Sequence, residues 1–333
     1  MSTWTSAVWG TEEFLAELCA FIGAAVGVPD RVERLADRPW SAVWRVTAGG
    51  RTSYAKQNCP GQAHEARIVQ GLAQVAPEYV APVLAADPER DLLLTGDLGP
   101  TLREQGRPTD VDQWCRLVAD AAVLQRRATA TADSWGLAVL APADATTYVA
   151  NAVGRLAALE AGDPRRLEPA MAARLQALLP SVERWADVVE EVDLPFTLVH
   201  NDLHPSNVVL TDGTTRFFDF GDAVLGEPLG NLLVPLDTAR DELHATPDDP
   251  RLCRIADAAL EVWSDVVPIT ALRAALPSAL QLARLARVES WRRCVATMTA
   301  DQRAVWGSAP AAWLTTLLEV SPVGTAPRSR VRG

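Results

Sequence analysis

Residues 198–222 hold the densest set of chemically able side chains in this 333-residue chain. Leu198-Val199 leads into His200-Asn201-Asp202-Leu203-His204-Pro205-Ser206-Asn207, then into Val208-Val209-Leu210. A further apolar pair, Phe217-Phe218, delivers Asp219 ahead of Phe220-Gly221-Asp222. Two carboxylates and an amide brought together are costly to hold without a cation. Asn207 and Asp219 offer hard oxygen donors of the kind Mg²⁺ takes when phosphates and waters complete its shell. Asp202 can point at an incoming hydroxyl and orient it or accept its proton. His200 and His204, four apart, also raise a zinc reading. Asn201 stands where a His-Glu-x-x-His site needs its glutamate, however, and Pro205 bars a helix there, so oxygen chemistry is the better account. Loop capping by the acids is the plain structural alternative.

These groups need elements to position them. The β-branched runs beside the loop predict buried strands, with Asp212-Gly213 as a hairpin turn, so Asp202, Asn207 and Asp219 are expected at the ends of three adjacent strands. Upstream, a helix over 11–26 opens on Thr11. Strands over 41–47 and 52–57 turn at Gly49-Gly50, which leaves Lys56 at a strand end. A helical pattern over 61–76 carries Glu65 early, where an acid suits the macrodipole. Two more strands, 80–86 and 91–95, turn at Asp87-Pro88, and Gly96-Asp97-Leu98-Gly99-Pro100 then breaks the pattern as a hinge. Beyond residue 109 the periodicity predicts helices over 110–128, 143–159, 168–191, 230–242, 249–266, 270–299 and 311–319.

Composition narrows the class. A net charge of −11 argues against nucleic acid as partner, and it suits a small substrate with cationic character. No run is long and apolar enough for a membrane span, and the first residues carry no secretory pattern, so no membrane partner and a cytoplasmic location are expected. Five scattered cysteines read as reduced thiols.

Taken together, His200-x-Asp202-x-x-x-x-Asn207 and Asp219-Phe220-Gly221, after a strand lysine and a helix glutamate, resemble the protein-kinase-like catalytic set. More closely, residues 200–207 resemble the His-Gly-Asp-Leu-His-Pro-Gly-Asn pattern of the aminoglycoside phosphotransferase/choline kinase group. The arginine that protein kinases carry at position 201, and their Ala-Pro-Glu segment, are missing. The resemblance implies a protein-kinase-like bilobal α+β fold. A small β-rich N-terminal nucleotide lobe would span 1–96 and a larger, mostly helical catalytic and substrate lobe 97–320; the Pro/Gly/Ser/Arg-rich composition of 321–333 separately predicts a disordered tail.

The resemblance also implies an ATP-dependent phosphotransferase acting on a hydroxyl of a small molecule, with ATP and Mg²⁺ as cofactors. Asp202 would be the catalytic base or orienting group, and Asn207 and Asp219 the magnesium ligands. Lys56 would bind the α/β-phosphates with Glu65 as its partner, and residues 94–98, including Thr95 and Asp97, would meet adenine. The covering turn, Asp37 to Ala42, is poor in glycine, with Ser41 as its candidate nucleotide contact. Asn231 stands where the family usually has aspartate and is expected to anchor the loop.

An aminoglycoside or amino sugar is the first expected acceptor. Choline, homoserine, a sugar or a macrolide are alternatives, as is a nucleotide-binding module without turnover. Asp222 and Glu227 are expected to face a cationic acceptor and Trp291 to stack on it. Most of the other charged residues between Arg284 and Arg293 are expected on a solvated or intra-helical salt-bridge face.

Overall fold

The computed structural model describes residues 4–106, 110–211 and 213–324. Helix α1 (Glu12–Val26) begins where Thr11 accepts a hydrogen bond from the Phe14 amide, and it buries Phe14, Leu18 and Ile22 at four-residue spacing. A five-stranded antiparallel sheet follows: β1 (Arg31–Arg38), β2 (Ser41–Ala48), β3 (Arg51–Asn58), β4 (Val83–Asp87) and β5 (Leu92–Gly96), in the order β1-β2-β3-β5-β4. The β2–β3 turn is Gly49-Gly50, both at positive φ (+54° and +76°), which a two-residue hairpin of this hand requires.

Strand alternation divides the sheet between two tasks. Ala42, Trp44 and Val46 of β2, Ala55 of β3, and Leu92 and Leu94 of β5 pack with α1 in one core. The intervening Val43, Tyr54, Lys56, Leu93 and Thr95 face the opposite side and line a cleft. Strand β1 has no counterpart in the expected elements. Its sequence, Arg-Val-Glu-Arg-Leu-Ala-Asp-Arg, has five charged residues of eight, as edge strands often do, and the register slips between Arg34 and Ala36. The alternation that would mark a strand is therefore broken.

Helix α2 (Glu65–Val75) lies between β3 and β4, reached through a 3-10 turn at Pro60–Gln62. A Cβ on Gly61 would collide with the Arg293 carbonyl, so only glycine lets this turn rest on the helical lobe.

That lobe contains α3 (Val111–Ala128), α4 (Ala145–Ala157), α5 (Pro169–Glu190), α6 (Leu233–Glu242), α7 (Pro250–Trp263), α8 (Ile269–Ala296), α9 (Ala300–Trp306) and α10 (Ala309–Thr315). The expected helix over 311–319 begins two residues earlier and ends in a 3-10 turn. Helix α9 was not expected; it is a seven-residue helix opened by a Thr299/Gln302 capping box. The long α8 runs through the centre of the lobe, and its eight residues from Ala283 to Ser290 are all buried. The charged face expected there is only partly present: Arg292 is exposed and forms an intra-helical salt bridge with Glu289 (2.7 Å), while Arg284, Arg287 and Glu289 are buried.

The three apolar runs beside the polar loop do not form one sheet. Strand β7 (Thr197–Val199) joins β6 (Val139–Leu140) and β10 (Val224–Gly226) in the order β6-β10-β7, while β8 (Val208–Thr211) and β9 (Thr214–Phe217) form a separate hairpin. The chain between β7 and β8 makes a 3-10 turn at Pro205–Asn207, which ends any continuity between them. Asp212, in the expected hairpin turn, and 325–333 of the expected disordered tail lie outside the described residues.

Candidate active site

Lys56 pairs across the sheet with Val43 on one side and Leu93 on the other, so its side chain leaves the cleft face. Its Nζ lies 2.6 Å from Glu65 Oε2 and 2.5 Å from Asp219 Oδ1. Nine residues suffice to bring Glu65 there, because the 3-10 turn delivers it as the first residue of α2. Glu65 is buried. Its Oε2 also accepts from Asn58 Nδ2 (2.7 Å), and its Oε1 accepts from the Phe220 amide (3.0 Å). One carboxylate therefore ties β3, α2 and the Asp219 turn together. Burial alone would lower the Lys56 pKa, but Asp219 and Glu65 outweigh it and hold it above its usual value. The lysine is a cation.

The polar loop uses left-handed backbone twice, at Asn201 and at Asp219, both with φ +65°. Short polar side chains tolerate that region best, and such strain gathers at functional sites. His200 supports the loop from its buried side. Its Nε2 meets the Phe218 carbonyl (3.0 Å), its Nδ1 faces the Asp202 amide (3.4 Å), and its ring packs on Phe220. Burial, only partly offset by Asp202, lowers its pKa, so the imidazole is neutral. His204 Nδ1 accepts from the Ser206 amide, and both histidines are thereby committed to the loop rather than to a transition metal. Asn231 Oδ1 accepts from the His200 amide (2.9 Å), a bond an aspartate would make equally well.

Asp202 Oδ1 accepts from Arg287 (2.9 Å). Its Oδ2 accepts from Asn207 Nδ2 (3.1 Å) and lies 3.4 Å from His204 Nε2. Burial would raise its pKa; Arg287 and then His204 overcome that and hold the carboxyl far below the usual range. Asn207 also donates to the Asp202 carbonyl (2.9 Å), so its amide oxygen is the atom left for a cation. The Asp219 carboxylate, 43% exposed and held by Lys56, is the second such oxygen. An amide and a carboxylate fit Mg²⁺ that brings phosphates and waters with it. Among the described residues no cluster of three His, Cys, Asp or Glu could hold a metal unaided.

The cleft beside these residues has a cavity of about 320 Å³. Leu35, Val43, Val69, Leu93 and Phe217 supply apolar walls, Thr95 and Asp97 line the hinge, and Lys56, Glu65 and Asp219 close the polar end. Ser41 is not in this lining. Strand β1 extends to Arg38, which leaves only Pro39-Trp40 as the turn, and Ser41 is a buried strand residue opposite Asn58. The roof consists of strand side chains, Leu35 and Val43, instead of a small-residue turn.

Three residues expected to face the acceptor make internal contacts. Trp291 packs against Trp40 and Trp306 (ring centroids 5.3 and 6.0 Å apart), fastening the covering turn to the helical lobe. Asp222 is bonded to Ser290, to Gln62 Nε2 (2.7 Å) and, at 3.4 Å, to Arg287. Glu227 caps the turn after β10 by accepting from the Leu229 and Gly230 amides, and it borders a separate cavity of about 200 Å³ with Asp144 and Tyr148.

Burial outweighs Glu227's two amide bonds and pushes its carboxyl up to about 7. The folded protein therefore keeps a proton that the unfolded chain gives up above pH ~4.3, and the folded state loses stability as pH rises from there to about 7. Glu227→Gln cannot titrate. Relative to the parent it is expected to gain stability between pH 5 and 8, measured as the urea midpoint; a constant difference across that range contradicts the assignment.

Arg287, bonded to Asp202, is a residue of this site to which sequence reading gave no role of its own, counting it among the charges of one long helix. The available signal was its setting, since apolar or small residues stand on both sides of it in Ala283, Leu285, Ala286 and Val288. That pattern marks a helix buried all round, where an arginine must have partners.

The sequence profile of the phosphotransferase enzyme family matches residues 29–241. The chain belongs to this family. Its fold is shared with a type I macrolide 2′-phosphotransferase at 16% identity and TM-score 0.60, covering 91% of this chain and 97% of that one. An ethanolamine kinase of Plasmodium vivax (12%, TM-score 0.64, 93% and 89%) and a macrolide 2′-phosphotransferase of Brachybacterium faecium (19%, TM-score 0.56, 91% and 98%) are similar in the same way. No curated protein matches the chain in sequence. At such identities the structural likeness is one of fold, while the family match carries the activity: the chain is a phosphotransferase. Among the described residues no helix of this phosphotransferase is long and apolar enough to cross a membrane.

Proposed function

We propose that this phosphotransferase moves the γ-phosphoryl group of MgATP to a hydroxyl of a small molecule, with an amino sugar as the first acceptor to test. The observation that carries the reading is the Lys56 cation held between Glu65 and Asp219 at the polar end of an apolar cleft. Adenine fits the apolar walls near Thr95 and Asp97. Lys56 would meet the phosphates, and Asn207 with Asp219 would hold Mg²⁺, which when bound would neutralise charge on the transferring group.

Asp202 then orients the acceptor hydroxyl. Arg287 keeps it ionised, so it is a weak base, suited to placing the nucleophile and taking its proton late. That matches the loose transition state of phosphoryl transfer, in which positioning and electrostatics do most of the catalysis. The test is ADP release from ATP across amino sugars, sugars, amino alcohols and macrolides, with and without EDTA. Acceptor-dependent ADP release that EDTA abolishes is expected. Nucleotide binding without any acceptor-stimulated release would favour a binding module instead.

A further inference from the structure

Arg287 emerges from α8 beside Asp202 and is only 8% exposed. Among the described residues its hydrogen bonds all come from the NH1 nitrogen: to the Asn201 carbonyl (2.8 Å), to Asp202 Oδ1 (2.9 Å) and to Asp222 Oδ2 (3.4 Å). The Trp313 ring lies 5.0 Å from the guanidinium carbon and fixes its plane. Nε is buried and has no partner among the described residues. Buried donors are almost always satisfied, so an orphan donor beside the acceptor-orienting carboxylate requires an explanation. The Nε edge of a guanidinium is the one that oxygens meet two at a time.

The carboxylates around it are already taken. Asp202 is shared by Arg287 and Asn207, and Asp222 by Arg287, Ser290 and Gln62. Glu289 accepts from Tyr148 (2.9 Å) and Arg292 (2.7 Å). An ammonium group entering here would meet a fixed cation and no unpaired acid.

We infer that Arg287 is a specificity-determining and positioning residue: it reads an oxygen of the acceptor (hydroxyl, carbonyl or carboxylate) next to the hydroxyl held by Asp202, and it disfavours an ammonium there. This rests on the reading of Asp202 as the acceptor-orienting group. It also narrows that reading, because an amino sugar would have to keep its ammonium groups away from this position.

Two matched acceptor sets test it: glucose, glucuronate and glucosamine; and glycerol, glycerate and 2-aminopropane-1,3-diol. ADP release by the full chain with MgATP is measured for each. In each set the wild type is expected to favour the hydroxyl or carboxylate member over the amine by at least about 10-fold in kcat/KM. Arg287→Lys keeps a cation near Asp202 but removes the planar edge. It is expected to raise KM for the oxygen-bearing acceptors by about 10-fold, to lower kcat by less, and to shrink the preference.

Equal or better use of the amines by the wild type overturns the inference, and so does an Arg287→Lys variant with unchanged KM. A wild type that hydrolyses MgATP but takes none of the six acceptors also overturns it. A wild type that consumes no MgATP under any condition sinks the phosphotransfer reading itself. The wild-type preference is read without any variant, so misfolding of Arg287→Lys does not spare the inference.

Discussion

Asp202→Ala is expected to lower acceptor-stimulated ADP release by about 10²–10³-fold while leaving KM for ATP within a factor of about three. The separation follows from two networks that meet at Asn207, which loses the Asp202 carboxylate in the variant but keeps its bond to the Asp202 carbonyl (2.9 Å). The cation that would meet the nucleotide, Lys56, is held by Glu65 and Asp219, and neither of these touches Asp202. Asp202 belongs to the other set, bonded to Arg287 and Asn207. Removing the carboxylate therefore costs orientation of the hydroxyl but not the nucleotide cradle. Alanine is the cleaner substitution. In Asp202→Asn, the new amide NH₂ would have to face either the Arg287 or the Asn207 donor, and part of any loss would come from that clash. Retention of more than about a tenth of the wild-type turnover by Asp202→Ala would remove Asp202 from the acceptor-orienting role.

What the sequence shows and what it conceals divide along the range of the interactions. The Gly49-Gly50 hairpin, α1 with its threonine cap, and the bilobal α+β fold were all legible, because turn chemistry, capping and periodicity are local. So was the candidate set Lys56, Glu65, Asp202, Asn207 and Asp219, through a motif whose spacing the 3-10 turns at 60–62 and 205–207 make workable. Strand β1 was concealed because its pattern is that of a charged edge with a register slip. The partners of β7 were concealed because a three-residue strand carries no pairing information of its own.

The internal contacts of the residues expected on the substrate side were not legible, because their partners are distant in sequence or depend on a local turn. Asp222 meets Gln62, Glu227 accepts from the Leu229 amide and Trp291 packs on Trp40. Arg287, set in a stretch of small and apolar residues, looked like one charge among several on a mixed helix. Its position beside Asp202 depends on two segments 85 residues apart meeting in space.

Asp219→Asn is expected to move nucleotide affinity in opposite directions depending on the metal. The Asp219 carboxylate is paired with Lys56 at 2.5 Å, so in the proposed reading Asp219 would exchange part of that contact for Mg²⁺ and Lys56 would exchange part of it for phosphate. Neutralising residue 219 removes one of the two anions that hold Lys56, and it also removes the charge that would repel a metal-free triphosphate. ATP measured in EDTA should bind the variant several-fold more tightly than the wild type. MgATP should bind it more weakly, by about 10-fold, because an amide is the poorer magnesium ligand.

Turnover should fall by about 10³-fold, since charge neutralisation at the transferring phosphoryl is lost where it matters most, and raising Mg²⁺ should restore part of it. Glu65 still contacts Lys56 at 2.6 Å and also receives the Phe220 amide, so the lysine and the turn remain placed, and the melting temperature should change little. Calorimetric titration with ATP in EDTA and with MgATP reads both signs in one experiment. Parallel weakening of the two affinities would mean that Asp219 serves the architecture of the cleft; only opposite signs identify it as the residue that holds the metal.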